Sequence, residues 1–173
     1  MHETTQEQRF AGWLRDHAAI VHHVVHAFAV GDDRNDLRQE ILLSLWRAVP
    51  VFRESSAPST FVYRVAHNAA LLWLRGERKH QRHVAAAPEI GWMSEPDTAR
   101  SRSDTPARLE QLYAALQELP PVDRSLLLLS LDGLSYRDIA AVHGLSESNV
   151  GARLTRARQR LSHQLNLNAP DTP

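Results

Sequence analysis

LSYRDIAAVHGLSESNVGARLTRARQRL, Leu134 to Leu161, decides the fold. Ser135 with Asp138 three residues on has the form of a capping box, with Asp in place of Glu or Gln. Ile139, Ala140 and Val142 supply apolar contacts, and Gly144 stands where a helix needs a left-handed end. Ser146 then caps a longer helix whose first turn carries Glu147. A short helix, a glycine turn and a longer helix make a helix-turn-helix.

The longer helix has two unlike faces. Val150, Leu154, Ala157, Leu161 and Leu165 recur at helical spacing and predict a buried stripe. Asn149, Arg153, Arg156 and Arg160 share a second face about a quarter-turn away. Asn can pair with adenine and Arg with guanine or phosphate, so this face suits a major groove. The plainer alternative, a solvated basic face, does not explain the capped helix and glycine turn in front of it.

Outward from this motif, composition narrows the classes. The chain has 173 residues, enough for one or two small cores, and its 20 basic and 20 acidic residues cancel. Nucleic-acid affinity must therefore come from local patches: Arg75, Arg78, Lys79 and Arg82, and the arginines after Gly151. Without cysteine there is no disulfide, thiolate metal site or thiol nucleophile. The polar start and the shortness of every apolar run predict no signal peptide and no membrane insertion, hence a cytoplasmic protein. No cofactor is expected.

In chain order, a first helix is predicted from about Gln6 to Val30, with Phe10, Leu14, Ala18, Val21, Val25 and Phe28 inward. His22 and His26 stand four apart, a spacing that can hold a metal, but no third ligand lies nearby in sequence, so no metal site is assigned. A hydrolase built on these histidines would also lack the carboxylates and triad spacing it needs. A second helix follows from about Asp33 to Val49, with Leu37, Ile41, Leu45 and Ala48 as its core stripe. Its other side gathers Asp36, Gln39, Glu40, Leu43, Trp46 and Arg47. Charges around bulky apolar groups fit a protein interface; the alternative is that Trp46 packs on a neighbouring helix.

A loop, VFRESSAPS, leads to a third helix from about Pro58 to Arg78, with Phe61, Val65, Ala69, Leu72 and Trp73 inward. Thr60, Tyr63, Arg64, His67, Asn68 and Arg75 lie beside that stripe, where aromatics among cations can stack on unpaired bases. Periodicity then stops, and residues 80–104 are expected to be a flexible linker, although Trp92 and Met93 are odd there. The second domain is predicted to open at Thr105, followed by Pro106. A stripe of Leu109, Leu112, Tyr113 and Leu116 leads to PVDRSLLLLSL and the helix-turn-helix.

DLRQEILLSLWRA, STFVYRVAHNAALLWLR and the run from Leu119 to Leu161, in this order and at this length, resemble the extracytoplasmic-function group of the sigma-70 family of RNA polymerase sigma factors. The resemblance implies an all-α chain of two small helical domains. One is a sigma-2-like three-helix domain at 6–79; the other is a sigma-4-like four-helix domain at 105–167, beyond the 80–104 linker. It implies a non-enzymatic bacterial protein that binds core polymerase and directs promoter-specific initiation. Asp36, Gln39, Glu40, Leu43, Trp46 and Arg47 would grip the β′ clamp helices, and the second domain would meet the β flap.

The resemblance further implies that Thr60, Phe61, Tyr63, Arg64, His67 and Asn68 would hold an unpaired base of the −10 element, with Arg75, Arg78 and Lys79 along the backbone. Asn149, Arg153 and Arg156 would read the −35 duplex, with Ser146, Ser148, Arg158 and Arg160 around them. Promoter DNA and an anti-sigma factor are the further partners implied. Phe61, Leu72 and Gly151 depart from the Trp, Asp and basic residue that many members carry, and Gly151 costs roughly 1 kcal/mol of helix stability against Ala. A helix-turn-helix regulator that does not engage polymerase is the competing expectation. It accounts for residues 105–165 but not for the second face of the second helix.

Overall fold

The computed structural model describes residues 2–84 and 104–167. These form seven α-helices: α1 (His2–Phe28), α2 (Asp33–Ala48), α3 (Pro58–Val84), α4 (Asp104–Gln117), α5 (Pro121–Leu131), α6 (Tyr136–His143) and α7 (Glu147–Leu167). A single 3-10 turn, Val49–Val51, follows α2 and contains Pro50, which cannot continue the α-helical ladder. None of the described helices is long and apolar enough to cross a membrane.

The first half is α1, α2 and α3 around one core. Leu37, Ile41 and Leu45 of α2 are buried as expected, against Val24, Val25 and Phe28 of α1 and Val62 and Ala66 of α3. Two expectations change. His17 leaves helical geometry (φ −130, ψ 21), so the inward stripe of α1 rotates at a kink: Ala18 is exposed and Trp13 is buried instead. Leu72, expected inward, is 63% exposed, because α3 turns Ala66, Ala69 and Ala70 to the core. α3 also continues to Val84, into the stretch read as linker.

The second half is α4 to α7. α4 begins at Asp104, so Thr105 lies inside the helix rather than capping it, and Leu109 is exposed rather than inward. The helix-turn-helix forms as its residues dictate. Ser135 Oγ accepts from the Asp138 N–H at 3.1 Å and donates to the Asp138 carboxylate at 2.6 Å. Gly144 takes the left-handed conformation at φ 65, and Ser146 Oγ accepts from the Asn149 N–H at 3.3 Å. Val150, Leu154, Ala157 and Leu161 then bury against Leu116, Leu126, Leu129 and Ile139.

The two halves dock on each other. α4 and α5 rest on α1, and α5 and α6 rest on α3, while among the described residues the backbones of α2 and α7 do not come close to the opposite half.

Candidate nucleic-acid interface

α2 presents Asp36, Gln39, Glu40 and Arg47 to solvent beside Leu43, which is 41% exposed. With α3 it bounds an open groove of about 480 Å³ lined by Asp36, Gln39, Glu40, Ser44, Ala69, Leu72, Trp73 and Gly76. Exposed Leu72 thus has a place: it forms one wall of that groove. Trp46 is different. Its ring meets Phe10 edge-on at 5.3 Å and its carbonyl accepts from Gln6 Nε2 at 3.0 Å, so half of it anchors α1. The alternative weighed for Trp46 from the sequence, that it packs on a neighbouring helix, therefore holds alongside any outward role.

The loop before α3 is fastened at Phe52 and Glu54. Phe52 sits edge-on to Trp13 at 5.3 Å and lies 4.8 Å from the ring of Phe61. Arg9 pairs with Glu54 at 3.0 Å and lies over Phe52. Glu54 takes a positive φ of 56, an unusual backbone for a non-glycine residue, and its carboxylate is the one that Arg9 holds. Phe61 is consequently buried in an aromatic cluster, with the Arg64 guanidinium over its face at 5.4 Å.

On α3 the six polar or aromatic-polar positions fall into two groups. Thr60 is half-buried, and Arg64, Asn68 and Arg75 are exposed along one open side. Tyr63 and His67, one stripe over, are only 6% and 0% exposed because α5 and α6 cover them. Burial, then the hydrogen bond and charge of Asp132, push the Tyr63 phenol above its ordinary range. Burial, then the nearby His143, hold the His67 imidazole down to about 3. α3 carries Arg78 and Lys79 along its last turns; their side chains lie outside the described residues, as do Trp92 and Met93.

On α7, Ser148, Asn149, Arg156 and Arg160 are open to solvent. Arg153 is not. It donates to Asp123 of α5 at 2.6 Å, at the border between the polar face and the core. Arg158, on the opposite border, donates to Tyr136 Oη at 3.2 Å and Ser130 Oγ at 2.8 Å. Between these tethered arginines the exposed surface includes Ala152 and Thr155, which sequence reasoning passed over because neither is charged. Ala152 stands four residues from Ser148 and Arg156 and three from Asn149, and Thr155 stands three from Ala152; those offsets were the available signal. Gly151 abuts the Tyr136 ring, which a Cβ there would meet at 3.5 Å.

Among the described residues, no three histidine or acidic side chains gather around one point. The rings of His22 and His26 lie 4.1 Å apart and tilted by 40°, and the Tyr113 ring of α4 lies 5.3 Å from His26. Burial, then the charge of Arg34, hold His26 down to about 4.

Residues 6–80 match Sigma-70 region 2, and residues 109–161 match Sigma-70, region 4. The RNA polymerase sigma-H factor of Pseudomonas aeruginosa is 33% identical over 143 residues, spanning 77% of this chain and 73% of that protein. The ECF RNA polymerase sigma factor EcfG of Rhodopseudomonas palustris is 31% identical over 157 residues, spanning 86% and 83%. The sigma factor RpoE, solved in complex with the anti-sigma factor NepR from Bartonella quintana, superposes with a TM-score of 0.66 at 23% identity, over 98% of this chain and 100% of that one. At that identity the likeness establishes the fold. A two-part match in this order, with relatives above 30% identity along most of both chains, means that the chain belongs to the extracytoplasmic-function group of the sigma-70 family of RNA polymerase sigma factors.

Proposed function

We propose that the two halves divide the work of initiation as follows. Asp36, Gln39, Glu40, Leu43 and Arg47, with the outward part of Trp46, grip the β′ clamp helices of core polymerase. Residues 105–167 meet the β flap and the −35 duplex, and 80–104 spans between the readers. The observation that carries this is the open side of α2. Four charged or polar groups surround an exposed leucine beside a groove, while the other side of the helix is core. Leaving Leu43 and Leu72 in water is unfavourable by about 25 cal/mol per Å² of apolar area. A partner helix laid in the groove would cover them, and the charges would set its direction.

Thr60, Phe61, Tyr63, Arg64, His67 and Asn68 hold an unpaired −10 base, and Arg75, Arg78 and Lys79 follow the strand. A pocket that only an extruded base can fill favours open over closed DNA, which is how binding becomes melting. Asn149 and Arg156 read the −35 element, with Ser146, Ser148, Arg158 and Arg160 toward phosphate. Arg153 joins them only by leaving Asp123. The polymerase performs the chemistry in the bacterial cytoplasm, and this chain supplies no catalytic group. An anti-sigma factor is its regulatory partner, as one is for RpoE of the Bartonella quintana complex.

The test is Glu40→Lys with Arg47→Glu, which reverses local charge and spares Leu37, Ile41 and Leu45. The variant should keep its helical circular dichroism yet lose core polymerase in a pull-down and lose run-off transcription. If it folds and still binds core as tightly as wild type, α2 is not the grip.

A further inference from the structure

The line of α7 that points directly away from the core is not its basic one. Val150, Leu154, Ala157 and Leu161 are buried. The helical period puts Ser148, Ala152, Thr155 and Gln159 on the opposite side, at offsets of four, three and four, and all four are exposed. None of them carries a charge. Asn149, Arg156 and Arg160 lie to one side of this ridge. The arginines at its two borders are drawn away from it. Arg153 is held by Asp123 at 2.6 Å, and Arg158 by Ser130 Oγ and Tyr136 Oη at 2.8 and 3.2 Å.

The two residues at the middle of the ridge offer hydrocarbon. Ala152 has only its methyl. Thr155 has a hydroxyl, but its Oγ1 donates to Gly151 O at 3.0 Å, one turn back along α7, so its hydrogen is spent inside the helix. The Thr155 methyl is the group left for a ligand. A methyl neither donates nor accepts a hydrogen bond. Among base edges in a major groove, thymine alone carries an apolar group, its C5 methyl, and Ala and the Thr methyl are side-chain groups that pack on it. Ala152 and Thr155 are separated by a rise of about 4.5 Å. Stacked base pairs are about 3.4 Å apart, so the two methyls serve the same pair or neighbouring pairs.

We propose that Ala152 and Thr155 are specificity-determining residues that read thymine methyl groups at the centre of the −35 duplex, beside the hydrogen-bonded contacts of Asn149 and Arg156. This rests on the assignment of α7 to the −35 element. The tethers explain why a methyl contact can form. An apolar contact needs heavy atoms within about 4.0–4.5 Å, and a long arginine laid over Ala152 would hold the bases farther off. With Arg153 and Arg158 drawn to opposite borders, the short side chains stand outermost. On the Tyr136 side the ridge is edged by Gly151, which adds no side chain to rise above the two methyls. Its place in a recognition surface is thus to keep that approach open.

The test uses the full chain bound to core polymerase. Run-off transcription from templates randomised over the −35 segment selects a preferred duplex, which should contain thymine. Each thymine is then replaced by uracil, which removes the C5 methyl and leaves every hydrogen-bonding group in place. Affinity should fall about 3–10-fold at one thymine or at two neighbouring ones, the effect of losing one buried methyl. Thr155→Ser keeps the hydroxyl and should remove or reduce that penalty; Thr155→Val keeps the methyl and should retain it. Ala152→Gly should also reduce it, while still preferring the selected duplex to a scrambled one, the sign that α7 is folded. Each penalty compares two DNAs on one variant, so a general loss of affinity cancels. A selected duplex without thymine, a uracil scan with no penalty, a penalty that survives Thr155→Ser and Ala152→Gly alike, or one that Thr155→Val abolishes overturns methyl reading. Templates that emerge with no −35 preference remove the assignment of α7 to that element and the methyl reading with it. A clear −35 preference with no uracil penalty removes the methyl reading alone.

Discussion

Asp123 holds Arg153 at 2.6 Å, so an arginine in the middle of α7 is already partnered within its own half, while Arg156 three residues on is exposed. The two residues share a helix and a charge but not a situation.

They should therefore respond differently. Arg156→Ala should cost about 1–3 kcal/mol on a matched −35 element and relax discrimination at one base position. Arg153→Ala should lower the unfolding free energy by about 0.2–1 kcal/mol, the range for a partly exposed pair, and weaken DNA binding evenly across sequences. Thermal unfolding and a panel of −35 variants measure both. If Arg153→Ala changes base preference and Arg156→Ala does not, the two roles are exchanged.

Asn68 is exposed on α3. Asn68→Ala should leave core binding intact and reduce open-complex formation on duplex promoters. A template with a pre-opened −10 bubble should recover much of the loss, because the opening cost has been removed. Equal loss on duplex and bubble would assign Asn68 to base recognition rather than melting.

The contact between the two halves should weaken in acid. His67 is held down to about 3 by burial and then by His143; His143 is lowered by burial and then by Arg153. Around them lie Ser125, Tyr63, Phe28 with Arg124 over it, Arg153 with Asp123, and the acid of that contact, Asp132, paired with His23. Both lowered histidines favour the neutral imidazole when the halves are docked. On separation, each returns toward about 6.5. The sign follows: their contribution is complete above that value and is lost as pH falls below it. The loss is about 1.4 kcal/mol per pH unit for the fully buried His67. Small-angle scattering should show the radius of gyration growing from pH 7.5 to pH 5.5 in the wild type and much less in His67→Gln. A radius that shrinks or stays constant in the wild type would contradict this.

The second half was legible because its signals are local. Ser135, Gly144 and Ser146 each satisfy a helix end within four residues, and the sequence displays both partners of each bond. α2 was legible for the same reason: its core stripe needs only the helical period. Tyr63 and His67 were not legible as buried residues. Periodicity identifies the apolar side of α3, but these two are covered by a surface that arrives from residues 58 or more positions away. Arg124 is the opposite case. Nothing local to Arg124 signals burial, yet it is buried because the α1 carbonyls and Phe28 lie within its reach. The kink at His17 likewise left no mark in the apolar pattern, which runs on through Ala18.

The fastened loop before α3 has a consequence for timing and fidelity. Phe52 is wedged between Trp13 and Phe61, and Arg9 grips Glu54, all from within the chain. On the reading proposed above, the wall of the −10 pocket stands ready-made. Capturing a base against that wall then requires little loss of chain entropy in the loop itself. A ready-made wall also cannot mould itself to a wrong base. Selectivity at that position is therefore a matter of rigid shape, and loosening Arg9 or Phe52 would trade discrimination for tolerance.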